Sequence, residues 1–294
     1  MKIAFHTLGC KLNFSETSYL IRDVKKHGFK EVDFDNFADS YVINTCSVTE
    51  NANKECNYLV RKVLRKNPNA KVIIIGCYAQ LKPLEISKIH GVSLVLGNNE
   101  KFKLIQYLKE NYKEVKIFRK RPSELIEFKS SYSSNRTRSF LKVQDGCSYK
   151  CSFCTIPMAR GRNRSDKIIN IIQRIKKIRN SGVKEIVLTG INIGDFKTEK
   201  NENFFDLLSE VNKLKKIRIR ISSIEPNLIS DEIIDLIARS SVFVPHFHIP
   251  LQSGSDEILN KMKRRYLSKN YSDLIKKINT KIKNVCIGVD VIVG

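Results

Sequence analysis

No apolar run in this 294-residue chain approaches the roughly 18 residues that cross a bilayer. The start, Met1-Lys-Ile-Ala-Phe-His6, turns polar too soon for a secretory signal. Membrane-spanning and signal-directed classes are therefore set aside, and a cytoplasmic protein is expected. A fixed-period repeat is lacking, as is any long low-complexity tract, which removes solenoids and disordered tails. Acidic charge is also scarce: 30 Asp and Glu face 53 Lys and Arg, a net charge of +23 at pH 7. Such an imbalance suits a polyanionic partner, most simply RNA or DNA. Part of it is compositional, because Lys, Ile and Asn are abundant together, as an AT-rich genome would produce. With 41% apolar residues, the chain is long enough for about two domains, each with its own core.

Cysteine is what the chain does have. Eight cysteines in a cytosolic chain argue for metal or redox chemistry rather than a disulfide framework. Three of them fall in the run Cys147-Ser-Tyr-Lys-Cys151-Ser-Phe-Cys154, a C-x3-C-x2-C spacing just after the strand-like segment 140–143. Structural zinc takes a closed set of four ligands, and no fourth is obvious here. Iron–sulfur clusters take thiolates at short spacings of this kind. Three thiolates can hold three irons of a 4Fe–4S cube and leave the fourth open to a small molecule.

The first 118 residues alternate short apolar runs (3–5, 41–43, 72–75, 94–96) with helix-like stretches (15–26, 50–66, one after Pro83, and 101–111). Strand–helix repetition predicts a doubly wound parallel sheet. Residues 119–136 read as a basic, serine-rich connector. Alternation resumes over 137–294, with strands expected at 140–143, 185–188, 217–221, 246–249 and 285–293 and helices at 167–180, 204–214, 231–239, 256–261 and 269–282. This predicts a partial βα barrel with its chemistry at the C-terminal strand ends. The stretch 286–294 reads as a buried strand with no helix after it to cover it, so the chain reads as truncated.

Cys10, Cys46 and Cys77 each sit in the turn just after an expected N-terminal strand. In a parallel sheet those turns share one edge, so three cysteines far apart in sequence can meet at one point. The alternative is three unrelated buried thiols, since free cysteine packs as a small hydrophobe. Cys56 falls mid-helix and Cys286 within a strand; both are expected in the core.

The motifs Thr7-Leu-Gly-Cys-Lys-Leu-Asn13, Asn44-Thr-Cys-Ser-Val-Thr-Glu50, Gly76-Cys-Tyr78, Phe140-Leu-Lys-Val-Gln-Asp-Gly-Cys147, Cys154-Thr-Ile-Pro-Met-Ala-Arg-Gly-Arg162, Ile221-Ser-Ser-Ile-Glu-Pro226, Leu251-Gln-Ser-Gly-Ser-Asp256 and Asp290-Val-Ile-Val-Gly294 together resemble the radical S-adenosylmethionine methylthiotransferases. Gly9-Cys-Lys11 and the segment 138–144 are most similar to the branch acting on tRNA threonylcarbamoyladenosine. The resemblance implies that Cys147, Cys151 and Cys154 ligate a 4Fe–4S cluster whose open iron binds S-adenosylmethionine. It further implies that Cys10, Cys46 and Cys77 hold a second, auxiliary 4Fe–4S cluster that delivers sulfur. The reaction implied is methylthiolation at C2 of the modified adenine beside the anticodon, through a 5′-deoxyadenosyl radical and with two S-adenosylmethionine. An unactivated aromatic C–H lies beyond side-chain acid–base chemistry, which is why a cofactor carries the step.

Partners implied are tRNA, a flavodoxin- or ferredoxin-type electron donor and a sulfur source. Phe153, Gly190, Asn192 and Glu225 are candidates to touch S-adenosylmethionine. Arg160, Arg162, Arg164, Lys263, Arg264 and Arg265 are candidates to hold RNA phosphate or a carboxylate, against the plain reading of a solvated charged surface. His246 and His248, alternating with Phe247, read as one face of a barrel strand. Rival readings are the same chemistry on isopentenyladenosine tRNA or a ribosomal-protein aspartate, and an inactive iron–sulfur RNA-binding remnant.

Overall fold

A computed structural model of the chain describes residues 1–46, 50–110, 112, 114–124, 128–133 and 137–293. The chain divides into two compact units, residues 1–133 with 155–161, and residues 134–154 with 162–294.

The first unit is built on one parallel sheet. Its elements are β1 (Lys2–Thr7), α1 (Lys11–Lys26), β2 (Lys30–Val32), β3 (Ser40–Thr45), α2 (Glu50–Lys66), β4 (Lys71–Gly76), α3 (Cys77–Leu81), α4 (Pro83–Ser87), β5 (Val92–Leu96), α5 (Leu104–Lys109) and β6 (Lys116–Phe118). The strands lie in the order β2-β1-β3-β4-β5-β6, all pairs parallel. Apolar runs without alternation make sense here because both faces are covered. Ile73, Ile75, Leu94 and Leu96 meet Leu20 and Val24 of α1 and Leu104 of α5. Val72, Ile74 and Val95 turn the other way, towards Cys56, Leu59, Val60 and Val63 of α2. Pro83 opens α4 at its first turn, where its missing N–H has no partner to lose.

The expected core strands are all present. The three-residue β2 and β6 on the two edges were not expected. Ser131 of the serine-rich stretch is buried, with its hydroxyl 2.9 Å from that of Ser15. Residues 125–127 and 134–136 of that expected connector, residues 47–49 of the second cysteine motif, and Asn111 and Gly294 at the ends of expected elements lie outside the described residues. One helix from later in the chain, α6 (Ile156–Arg160), also belongs to this unit.

The second unit runs β7 (Arg138–Lys142), β8 (Gln144–Asp145), β9 (Arg164–Ser165), α7 (Ile168–Asn180), β10 (Glu185–Thr189), α8 (Phe204–Asn212), β11 (Arg218–Ile221), α9 (Asp231–Arg239), β12 (His246–His248), α10 (Asp256–Lys261), α11 (Ser268–Lys281) and β13 (Cys286–Gly288). β7, β10 and β11 form a parallel sheet, and β12 pairs in parallel with β13. A parallel bridge from Ile219 to Phe243 links the two sets. The order is that of a βα barrel wall, as expected. Two details depart from expectation. The last strand is short, and Cys286 on it is exposed rather than in the core, because β13 pairs only with β12 among the described residues. β8 and β9 form a small antiparallel pair of their own. Among the described residues no helix is long and apolar enough to cross a membrane.

Candidate cluster and cofactor sites

In the first unit Cys10 is the residue before α1, Cys46 follows β3, and Cys77 begins α3 directly after β4. All three occupy the C-terminal edge of the sheet, and they are close enough for Cys46 and Cys77 to act on the ionisation of Cys10. Gly9 explains part of the approach. It has φ +90°, and a Cβ there would stand 2.5 Å from Cys46 Cβ and 2.9 Å from Cys46 Sγ. Gly76, at φ +101°, would likewise drive a Cβ to 2.5 Å from Asn44 Oδ1.

Side chains behind the cysteines stitch the strand ends together. The Asn13 carboxamide donates to Leu8 O at 3.0 Å and Thr45 O at 3.2 Å, joining the turns after β1 and β3. Thr45 Oγ1 donates to Ile75 O at 2.7 Å, joining β3 to β4. Asn98 donates to Cys77 Sγ at 3.6 Å and to Ala159 O at 2.8 Å.

Beneath them lies a buried charge network. Arg160, 1% exposed, meets Glu16 with both terminal nitrogens at 3.1 Å and Asn13 Oδ1 at 2.7 Å. Lys101, fully buried, holds the same carboxylate at 2.6 Å and Asn98 Oδ1 at 2.8 Å. The Glu16 carboxylate thus bridges two buried cations. Cys10 is reachable by solvent yet flanked closely by protein. Desolvation pushes its thiol pKa up, Cys46 and Cys77 add to that, and Arg160 opposes it.

The second set, Cys147, Cys151 and Cys154, lies on the loop after β8 in the second unit. Burial raises Cys147 to about 11, and Cys154 and Cys151 contribute by charge. Side chains from the segment after α10 brace this loop. Arg264 donates to Cys151 Sγ at 3.3 Å and pairs with Glu225, while the Arg265 guanidinium stacks 3.7 Å from the centre of the Tyr149 ring. Ser152 N donates to Met262 O at 3.2 Å, and the Tyr149 hydroxyl accepts from Asn227 at 3.0 Å.

Gln144 ties the loop to the turn after β10. Its Oε1 accepts from the N–H groups of Ile191 and Asn192 at 2.8 and 2.9 Å, and its amide donates to Gly146 O at 2.7 Å. A Cβ on Gly190 would stand 2.7 Å from that same oxygen, so glycine is needed there for packing against Gln144.

These arrangements correct several expectations. Arg160 cannot clamp RNA phosphate, because it is buried on Glu16. Arg264 is also withdrawn, with 4% of its side chain exposed and Glu225 and Cys151 as partners. Glu225, expected against the cofactor, is instead committed to Arg264. Arg164 pairs with Asp145 at 2.9 Å inside the β8–β9 pair. Arg162, Lys263, Arg265 and Phe153 are exposed. Sequence reading missed Asn13, Glu16, Asn98 and Lys101. The first two lie in or beside the quoted motif around Cys10, which was the available signal.

The donor sets fit iron–sulfur clusters. Burial and neighbouring thiols raise the pKa of Cys10 and Cys147, which therefore hold their charge poorly alone, whereas coordination to a metal deprotonates a thiol outright. Among the described residues no three His, Cys, Asp or Glu side chains gather as one metal ion requires; a four-iron cube instead spreads its thiolates over separate corners. S-adenosylmethionine has a matching signal. The Asn192 side chain is 3% exposed, yet neither its Oδ1 nor its Nδ2 has a hydrogen-bond partner in the protein. A buried carboxamide left bare is costly and points to a ligand that completes it.

Residues 2–97 match a family model described as uncharacterized protein family UPF0004, and residues 141–294 match the radical SAM superfamily. The chain is 40% identical to the threonylcarbamoyladenosine tRNA methylthiotransferase MtaB of Bacillus subtilis, covering 99% of this chain and 66% of that protein. It is 39% identical to the protein of the same name from Aquifex aeolicus, covering 100% and 73%. The tRNA-2-methylthio-N(6)-dimethylallyladenosine synthase of Clostridium tetani is 33% identical, with 98% and 66% covered. Among solved structures, the radical S-adenosylmethionine methyltransferase TsrM from Kitasatospora setae, with cobalamin and a [4Fe-4S] cluster bound, superposes with a TM-score of 0.67 at 13% identity, covering 99% of this chain and 69% of that one. That likeness concerns the fold.

Proposed function

This chain belongs to the radical S-adenosylmethionine methylthiotransferase family, and we propose that it acts as a transferase adding a methylthio group to C2 of N6-threonylcarbamoyladenosine beside the tRNA anticodon. The observation that carries the proposal is the pair of thiol trios, one on a short loop and one gathered from three strand ends. Supporting the choice of base, the relatives at 40% and 39% identity are both named for threonylcarbamoyladenosine, while at 32–34% relatives named for either base occur. The chain spans 66% and 73% of those two relatives' lengths.

Cys147, Cys151 and Cys154 would hold the cluster that takes S-adenosylmethionine, and Cys10, Cys46 and Cys77 the auxiliary cluster. What a three-thiolate cube with S-adenosylmethionine supplies is homolytic chemistry able to break an aromatic C–H. The protein's own groups shape both sites. N–H donors aimed at sulfur, from Arg264 to Cys151, from Asn98 to Cys77 and from Tyr149 N to Cys147 at 3.4 Å, stabilise thiolate charge. Gln144 fixes the β10 turn so that Asn192 presents its bare carboxamide for the cofactor's polar end. Glu225 acts as a positioning residue by orienting Arg264. Phe153 is left for the adenine, and Arg162, Lys263 and Arg265 for RNA.

Residues 1–118 would form the auxiliary-cluster domain, 119–136 a connector and 137–294 the barrel; the matches over 2–97 and 141–294 support that division. A cytoplasmic setting, a flavodoxin- or ferredoxin-type reductant and a separate sulfur source complete the reading. The test is anaerobic reconstitution with iron and sulfide, then incubation with S-adenosylmethionine, a strong one-electron reductant, a sulfide source and tRNA carrying threonylcarbamoyladenosine. Mass spectrometry should find the methylthio nucleoside. Product on isopentenyladenosine tRNA alone, or on no tRNA, would contradict the substrate assigned. Replacing Asn192 with Ala should weaken S-adenosylmethionine binding while leaving the iron content unchanged.

A further inference from the structure

Helix α2 divides its residues cleanly. Cys56, Leu59, Val60 and Val63 are buried under the sheet, whereas Lys54, Tyr58, Arg61 and Arg65 recur at intervals of four, three and four residues, which is one face of a helix. That face borders a groove of about 650 Å³ whose other wall is formed by Tyr78, Glu85, Lys88 and His90. A second hollow of about 460 Å³ shares Asn57, Arg61 and Arg65 with the first, so the groove continues along the helix past Tyr58.

The charge of this groove is one-sided. Glu85 is the one acid among its lining residues, and Tyr78 at 2.7 Å and Lys82 at 3.1 Å already hold it. Lys62, which lines the second hollow, is tied to Asp35 at 2.6 Å. Lys54, Arg61, Arg65 and Lys88 have no carboxylate partner among the described residues. Two of these are arginines, which a Lys-rich composition does not explain. Tyr58 is 60% exposed in line with them.

We propose that the α2–α4 groove is an RNA-binding track, in which Arg61 and Arg65 pair with successive phosphates and Tyr58 stacks on an unpaired base. This rests on the tRNA reading above and names a surface for it. Guanidinium forks suit phosphate oxygens bidentately. An aromatic among cations is the platform that single-stranded RNA recognises. From Lys54 to Arg65 the stripe extends about 16 Å, room for a short stretch of backbone rather than a single ion. Position supports the same partner. α2 begins just after the Cys46 turn, and Tyr78 in the groove wall follows Cys77 directly, so the track leads to the cysteine-bearing edge of the same unit.

The test uses the reconstituted chain and an anticodon stem–loop RNA, with affinity measured across a salt series. Arg61→Gln with Arg65→Gln should weaken binding roughly tenfold near physiological salt and lower the salt slope by about 1.4, the loss of two single-strand phosphate contacts. Tyr58→Ala should weaken binding about fivefold or more with the slope unchanged. Lys176→Gln with Lys177→Gln, an exposed pair on α7, should change neither affinity nor slope. Circular dichroism and iron content confirm that each variant is folded. If the wild-type chain binds the RNA and the double arginine variant binds it equally with the same slope, the groove is not an RNA track, although the substrate reading stands. If that variant instead slows cluster reduction by an acidic flavoprotein, the groove serves a protein partner and the proposal is overturned. If the wild-type chain binds no RNA, the proposal falls together with the substrate reading.

Discussion

The two thiol trios reach similar ends by opposite routes. Cys147, Cys151 and Cys154 lie within one loop, so chain connectivity already holds them near one another. The fold then adds braces, Arg264 on Cys151 and Arg265 on Tyr149, from more than a hundred residues away. Cys10, Cys46 and Cys77 have no such connectivity. Their meeting depends on the register of β1, β3 and β4, on Asn13 and Thr45 between the strand ends, and on a glycine that lets one turn lie against the next cysteine. A contiguous set is robust to strain in the sheet, whereas a dispersed set reports the integrity of the whole unit.

The comparison can be broken first at its floor. Glu16→Gln removes the carboxylate shared by Lys101 and Arg160 and so breaks two buried ion pairs. Losses of about 3–5 kcal/mol are typical when one partner of a buried ion pair is removed. Denaturant melts should show the first unit destabilised by that order and the second unchanged. An unaltered melt would mean that the network contributes nothing to the dispersed site.

A sharper cut is Gly9→Ala. The new methyl would meet Cys46 in a left-handed turn, at a cost of about 1–3 kcal/mol. The reconstituted protein should lose the dispersed set's share of iron and keep the other, read by metal analysis and by electron paramagnetic resonance. Full iron in this variant would show that the close approach of the two turns is dispensable.

The effect that is absent at neutral pH belongs to a thiol that joins neither set. Cys56 is buried under the sheet, and desolvation pushes its pKa up to about 12, from an ordinary 9.0. The folded state therefore binds its proton more tightly than the unfolded chain. Its contribution to stability is complete below pH 9 and is lost as pH rises from about 9 towards 12, at up to about 1.4 kcal/mol per pH unit. Stability curves of the wild type and Cys56→Ala should therefore converge with increasing alkalinity. Parallel curves would contradict the burial argument.

Much of this was legible from residue order alone. Unbroken apolar runs such as 72–75 announce a strand covered on both sides, and turns placed directly after such runs put Cys10, Cys46 and Cys77 on one edge. The three-residue β2 and β6 were not legible, because Lys30–Val32 and Lys116–Phe118 carry little apolar signal and gain their identity from a single paired neighbour. Arg160 and Arg264 were misread for a related reason. Charge in a sequence looks like surface until its partner is found, and Glu16 lies 144 residues before Arg160. Cys286 was read as core from an apolar run, yet a strand with one neighbour leaves it open. The α2 stripe, by contrast, needed only helical spacing, though the groove beside it required α4 to be in place.

The most direct test of the account is to split the irons. Cys46→Ala and Cys151→Ala should each be reconstituted anaerobically and assayed for iron and for reductive cleavage of S-adenosylmethionine. Two independent cubes predict about four irons in each variant, with cleavage retained by Cys46→Ala and abolished in Cys151→Ala. A Cys46→Ala protein that keeps as much iron as the wild type would contradict the claim that three strand ends build a second cluster site.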